Sequence, residues 1–235
     1  MRPIPPRKAL RTLVIDVGGT HVKVLATGQK VERRIGSGPK MTPAKMVREV
    51  RRATAGWSYD RVSIGYPGPV TLGHPLREPY NLGEGWVGFD FRKAFARPVR
   101  VVNDAAMQAL GSYEGGLMLF LGLGTGLGAA MIADGVLEPM ELAHLPYKRG
   151  TFEDYVGARG LKRLGKRHWR RCVTDVVNRL RAAMQAEYVV LGGGNAKKVK
   201  VLPPDTRLGR NENAFVGGFR LWQTDSPGRR VRTAN

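Results

Sequence analysis

The stretch from Leu119 to Gly135, LFLGLGTGLGAAMIADG, runs from an apolar strand through Gly122, Gly124, Gly126 and Gly128 into a second apolar strand. Glycine weakens a strand interior, so a run of glycines marks backbone that bends tightly or that something approaches closely. Alone, the stretch reads as a glycine-rich β-hairpin. Near the start of the chain, RTLVIDVGGTHVKVLAT repeats the arrangement as strand, Gly18-Gly19 turn and strand. Helices and further strands follow each hairpin. That pattern predicts two related α/β lobes with a cleft between them and no long linker.

Working outward, VERRIGSGPK reads as a third strand and a loop. In MTPAKMVREVRRATAGW, Met46, Val47 and Val50 recur at helical spacing, with Thr42 before Pro43 as N-cap and first turn. RVSIGYPGPV is a strand that breaks at Pro67-Gly68, followed by a Gly- and Pro-rich loop over 71–88. FDFRKAFA reads as a short helix, PVRVVNDA as a strand and AAMQALGSYEG as a helix. In the second half, residues 161–185 are mostly helical, EYVVLGGGNAKKVK is a strand turning through three glycines, and NAFVGGFRLWQ is a short final helix. The closing DSPGRRVRTAN reads as a frayed tail.

Composition narrows the class. The 235 residues suffice for one large or two small domains, and 42% hydrophobic content fits a globular chain. No apolar run reaches membrane-spanning length, and the start, MRPIPPRKALRTLVID, lacks the apolar core of a secretion signal. A single cysteine, Cys172, excludes an intrachain disulfide and a multi-cysteine zinc site. These features predict a cytoplasmic protein with no membrane partner. The net charge of +20 predicts a polyanionic partner or a general basic bias. Basic residues are spread through the chain, densest in KRLGKRHWRR over 162–171, and no nucleic-acid-binding module is evident, which argues against nucleic acid.

Two turns could hold phosphate: DVGGT, from Asp16 to Thr20, and GLGTGLG, from Gly122 to Gly128. Small residues let backbone N–H groups and threonine hydroxyls converge on phosphate oxygens. Neither turn is a P-loop or a dinucleotide fingerprint. Asp104, at the end of VVNDA, has two readings: the N-cap of the helix that follows, or a general base acting on a substrate hydroxyl.

Five motifs occur in one order: Asp16-Val17-Gly18-Gly19-Thr20, Gly65-Tyr66-Pro67-Gly68, Asn103-Asp104-Ala105, Gly122-Leu123-Gly124-Thr125-Gly126 and Leu191-Gly192-Gly193-Gly194. In this order the chain resembles the ROK family of sugar kinases, and within it the polyphosphate glucokinases. TFEDYVGARGLKRLGKRHWRR, VVLGGGNAKKVK, LPPDTRLGRNENAFVGG and FRLW carry the finer likeness, which runs from about Thr12 to Trp222. The resemblance implies the two-lobed sugar kinase/actin-like ATPase, or ribonuclease H-like, fold with its active site between the lobes. It suggests a smaller lobe over 1–104 and a larger one over 105–235, with the final helix, about 214–223, packing back on the first.

The resemblance also implies roles. Asp104 would be the general base acting on the sugar 6-hydroxyl. Gly68, Asn81, Asn103, Glu141, His144 and Glu153 would join Asp104 in holding glucose or a similar hexose. Asp16, Gly18, Gly19, Thr20 and Lys23 would form the first phosphate-donor motif, with Asp16 placing Mg²⁺. Gly122, Gly124, Thr125 and Gly126 would form the second, and Gly193, Gly194 and Asn195 the third. A hexose needs fixed donors and acceptors, and phosphoryl transfer is largely positioning plus charge stabilisation, so the residue types suit the chemistry. A homodimer is implied as well.

Two departures stand out. The cysteine-rich zinc motif of many family members is missing after His144, so no structural zinc is expected. Ala143 stands where the family's E-x-G-H motif has glycine. The donor is left open between polyphosphate and ATP. ATP needs an adenine pocket near GGGNAKK, whereas polyphosphate needs a basic track, which Lys162, Arg163, Lys166, Arg167, Arg170, Lys197, Lys198 and Lys200 could supply. Rival readings are an ATP-dependent kinase for another hexose such as mannose, and a non-catalytic basic protein that binds sugar or nucleic acid.

Overall fold

A computed structural model describes residues 10–210 and 212–223; the tail expected to fray, 225–235, lies outside the described residues. Two five-stranded sheets share one topology. In the first, β1 (Thr12–Val17), β2 (His21–Ala26) and β3 (Arg33–Gly36) form an antiparallel meander, and β4 (Arg61–Tyr66) and β7 (Val99–Asn103) extend it in parallel, giving the order β3-β2-β1-β4-β7. In the second, β8 (Leu117–Leu123), β9 (Leu127–Ala133) and β10 (Val136–Met140) are the meander, and β13 (Tyr188–Gly192) and β14 (Thr206–Leu208) run parallel, giving β10-β9-β8-β13-β14. Short hairpins order parts of the connecting loops: β5 (Val70–Thr71) with β6 (His74–Pro75), and β11 (Pro146–Tyr147) with β12 (Gly150–Thr151).

The helices form where the sequence supplies caps and an apolar face. α1 (Pro43–Ala53) starts at Thr42, whose hydroxyl accepts from Lys45 N, and buries Met46, Val47 and Val50. α2 (Phe91–Phe95) starts at Asp90 and buries both phenylalanines, with Phe91 beside Trp86. α4 (Phe152–Val156) opens with a capping box between Thr151 and Asp154. α5 (Ala158–Ala183) begins three residues before the expected 161 and ends two before the expected 185. It also breaks at Gly165, where φ is 70° and only glycine is comfortable.

α3 (Asp104–Ser112) and α6 (Asn213–Arg220) pack backbone against backbone. A Cβ on Gly111 would lie 1.8 Å from the Asn213 carbonyl oxygen, and one on Gly217 1.8 Å from that of Met107. α6 also docks on the first sheet: the Ser63 hydroxyl donates to the Gly218 carbonyl at 2.6 Å and accepts from Trp222 Nε1 at 2.8 Å. The Trp222 ring lies beneath the guanidinium groups of both Arg61 and Arg100. Three buried clusters result. One belongs to each sheet, and the third, around Val14, Met107, Phe120 and Phe215, joins β1, α3, β8 and α6.

Candidate functional site

Register puts the first group of residues in one row. Asp16 on β1 lies opposite Lys23 on β2 and Gly65 on β4; Gly65 in turn faces Val102, and Tyr66 faces Asn103, on β7. These are the carboxyl ends of the parallel strands, where open α/β sheets bind ligands. Lys23 Nζ stands 3.4 Å from Asp16 Oδ2.

The N-cap of α3 is Asn103, not Asp104. Its Oδ1 accepts from Ala105 N at 2.9 Å and Ala106 N at 3.2 Å, and its Nδ2 donates to the Gly68 carbonyl at 3.0 Å. The cap position that local sequence offered to Asp104 is therefore taken by its neighbour. Asp104 becomes the first helical residue, half-buried, and its Oδ1 accepts from Ala105 N at 2.8 Å. Burial first, and then the charge of Asp16, push the Asp104 carboxyl up to about 7, against the pull of the Ala105 N–H. Burial also raises Asp16, with Lys23 acting in the opposite direction. Two carboxylates thus share one region, with one lysine beside them.

Asn81 reaches the same region from the 71–88 loop. A Cβ on Gly19 would lie 3.2 Å from Asn81 Cβ, so Asn81 packs over the first glycine turn. The loop is pinned there by the Glu78 carboxylate, which accepts from Trp86 N and Val87 N at 3.1 Å each, and by Tyr66, whose hydroxyl donates to the Arg77 carbonyl. No motif in the sequence marks Glu78 for this task.

The second and third glycine turns meet each other. Gly122 pairs with Gly128 across β8 and β9 and with Gly192 on β13, and Gly124 N donates to Gly126 O at 3.1 Å. Asn195 Nδ2 donates to the Gly124 carbonyl at 3.0 Å, and Asn195 N to that of Leu123 at 2.9 Å. Gly193 has φ +81° and lies against Leu123 so closely that a Cβ would sit 2.6 Å from its carbonyl oxygen. Ala158 N, at the start of α5, donates to Thr125 O at 3.0 Å. The two sheets' sites are joined through Gly128, where a Cβ would lie 2.8 Å from Ala105 Cβ, one residue from Asp104.

Glu153 sits on the second turn: its Oε2 accepts from Leu127 N at 3.3 Å, and Arg159 Nη2 lies 3.5 Å from Oε1. Glu141 and His144 are exposed on the turn after β10. That turn is tied to α4 by Glu153 N to Ala143 O at 3.0 Å and Phe152 N to Leu145 O at 3.1 Å. Thus Glu141, His144 and Glu153 form one group beside the second turn, and Gly68, Asn81, Asn103 and Asp104 another beside the first. Gly18 N donates to His21 O at 3.0 Å, closing the first turn, and Thr20 is exposed at its tip.

Gly124 and Gly194 have ordinary φ, and a Cβ added at either would meet no atom within 4 Å. Nothing inside the chain therefore requires glycine at either position, and both border the open side of their turns. Among the described residues, no group of three or more histidine, cysteine or acidic side chains could hold a metal ion. The Asp16 carboxylate is of the type that holds Mg²⁺ together with phosphate oxygens and water. Also among the described residues, no helix is long and apolar enough to cross a membrane.

No family-level sequence model matches the chain. Similar sequences do. A polyphosphate glucokinase from Mycobacterium leprae is 31% identical over 209 residues, 78% of this chain and 63% of that protein. A polyphosphate glucokinase from Mycobacterium tuberculosis is 28% identical over 206 residues, 78% of this chain and 77% of that protein. This chain thus spans less than two thirds of the first relative's length. Among solved structures, an inorganic polyphosphate/ATP-glucomannokinase from Arthrobacter sp. strain KM superposes with a TM-score of 0.75 at 25% identity, covering 89% of this chain and 96% of that one. A ROK family glucokinase from Streptomyces griseus, in complex with glucose and AMPPNP, gives 0.68 at 16% identity, covering 90% of this chain and 98% of that one. The two-lobed actin-like ATPase fold of these kinases is the fold described above.

Proposed function

We propose that the chain, which is similar to polyphosphate glucokinases in sequence and to ROK sugar kinases in fold, is a ROK sugar kinase that phosphorylates the 6-hydroxyl of glucose, with inorganic polyphosphate as donor and ATP as a second donor. The observation that carries this reading is Asp104: a carboxyl pushed up to about 7, at the carboxyl end of the first sheet and one residue from the second lobe's glycine hairpin. A general base works best with a pKa near the working pH.

In this reading Asp104 takes the proton of the sugar 6-hydroxyl as its oxygen attacks the terminal phosphorus of the donor. The bond from that phosphorus to the bridging oxygen breaks, and the shortened polyphosphate or ADP leaves. Asn103 keeps one amide hydrogen beyond the Gly68 contact and offers it to the sugar, and Gly68, Asn81, Glu141, His144 and Glu153 surround the ring. Gly18, Gly19, Thr20 and Lys23 from the first turn, and Gly122, Gly124, Thr125, Gly126, Gly193, Gly194 and Asn195 from the others, hold the donor. The open side of Gly124 and Gly194 supports this, since glycine there leaves room for a phosphate. Mg²⁺, held by Asp16, supplies charge neutralisation on the donor phosphates when bound. The lobes divide near residue 104.

Polyphosphate is favoured over ATP as principal donor by the charge of +20 and by the activities for which the Mycobacterium and Arthrobacter relatives are named. The test is glucose 6-phosphate formation with Mg²⁺, comparing long-chain polyphosphate with ATP, and mannose with glucose. Asp104→Asn is the control. Turnover from polyphosphate that vanishes in the variant supports the reading; turnover from ATP alone rejects the donor, and equal turnover by the variant rejects the base.

A further inference from the structure

The third glycine turn is wired to the basic face of α5. Starting at the Gly124 carbonyl, which accepts from Asn195 Nδ2, the path continues through Asn195 Oδ1, which accepts from Lys198 Nζ at 2.6 Å. The Lys198 carbonyl then accepts from Arg170 Nε, also at 2.6 Å. Arg170 forms the near wall of a depression of about 580 Å³ between α5 and the segment around Lys200, lined also by Arg171, Thr174, Asn178, Lys200 and the apolar Val201. Asp175 is the one acidic group in that lining, and it is already engaged: it accepts from the Tyr147 hydroxyl at 2.7 Å and from Arg179 Nε at 3.0 Å. Glu212 is the acidic group beside Lys197 and is paired with Arg210. The depression therefore keeps an excess of positive charge from Arg170, Arg171 and Lys200, and Lys197 and Lys198 stand between it and the donor turns.

We propose that this depression is a subsite for the distal phosphates of a long polyphosphate chain whose reacting end lies by Asp104 and which passes Gly124 and Asn195. The proposal rests on polyphosphate being the donor. A linear polyanion gains from successive cations along its length, whereas tripolyphosphate has only three phosphates and the far end of ATP is an uncharged nucleoside that gains nothing from them. Another basic depression, lined by Arg11, Arg51 and Arg97, lies by the residues that precede β1 and β4, at the opposite end of the first sheet from its glycine turn, and so is off this path.

The experiment measures KM for long-chain polyphosphate, tripolyphosphate and ATP in the wild type, in Arg171→Glu/Lys200→Glu, and in Arg11→Glu/Arg92→Glu, which changes net charge equally elsewhere. The expected result is a rise of about tenfold in KM for the long chain in the first variant only, with tripolyphosphate and ATP unchanged. An unchanged KM for the long chain, a rise shared by ATP and tripolyphosphate, or an equal rise in the second variant overturns the subsite while leaving polyphosphate as donor. A wild type that uses ATP but no polyphosphate overturns the donor reading and the subsite together.

Discussion

At the scale of single residues, Asp104 and Asp16 set the pH behaviour. If Asp104 is the base, kcat/KM for glucose climbs as pH rises through about 7 and levels above it, because only the ionised carboxylate accepts the proton. Asp104→Asn lowers kcat by roughly 10²–10⁴-fold. The same raised pKa works against folding. In the folded chain Asp104 holds its proton up to about 7, whereas in the unfolded chain it releases it near the ordinary 3.8. Between those values the folded state binds more protons, so this group's contribution to stability declines as pH rises and is at its worst above 7. Asp104→Asn is accordingly expected to melt higher than the wild type at pH 8, with the gap narrowing at pH 5; calorimetry at the two pH values checks it. In Asp16→Asn the nearby negative charge is gone, and the Asp104 carboxyl, followed by NMR, titrates below its wild-type midpoint.

At the scale of elements, the glycine turns divide into those the fold needs and those it does not. Gly193→Ala strains a backbone at φ +81° and strikes the Leu123 carbonyl, so both melting temperature and donor binding fall. Gly124→Ala meets nothing and has ordinary φ, so its melting temperature should hold while KM for the donor rises. A variant that lost stability in step with affinity would contradict this division. The glycine turns, the strands that flank them and α1 were legible because glycine spacing, the Thr42 cap and the apolar periodicity of α1 are local signals, whereas the short α4 and the strands β10 and β14 were not read. Asn103 as cap was not, because Asn and Asp cap helices about equally and only the path of the chain decides between adjacent residues. The break at Gly165 was hidden inside a helical pattern, where a lone glycine is tolerated. Asn81 over Gly19 and Glu78 under residues 86–87 join segments that no local pattern links. The grouping of the candidate sugar and donor residues came from family resemblance rather than from any one motif.

At the scale of the whole molecule, charge and the α3–α6 seam dominate. With +20 overall, polyphosphate use should weaken steeply with salt: KM for the long chain rises severalfold between about 50 and 200 mM NaCl, more than KM for ATP. Gly217→Ala forces α6 away from the Met107 carbonyl, and such overpacking costs about 1–3 kcal/mol, readable as a lower urea midpoint.

The docking of α6 on the first sheet also has a bearing on biosynthesis. Val14 and Ser63, in two of the earliest strands, complete their packing only against Gly218 and Trp222. As the chain leaves the ribosome, the first half must wait with that flank of its sheet uncovered until some 150 further residues have emerged after Ser63. Until then that flank is apolar surface open to association with other nascent chains.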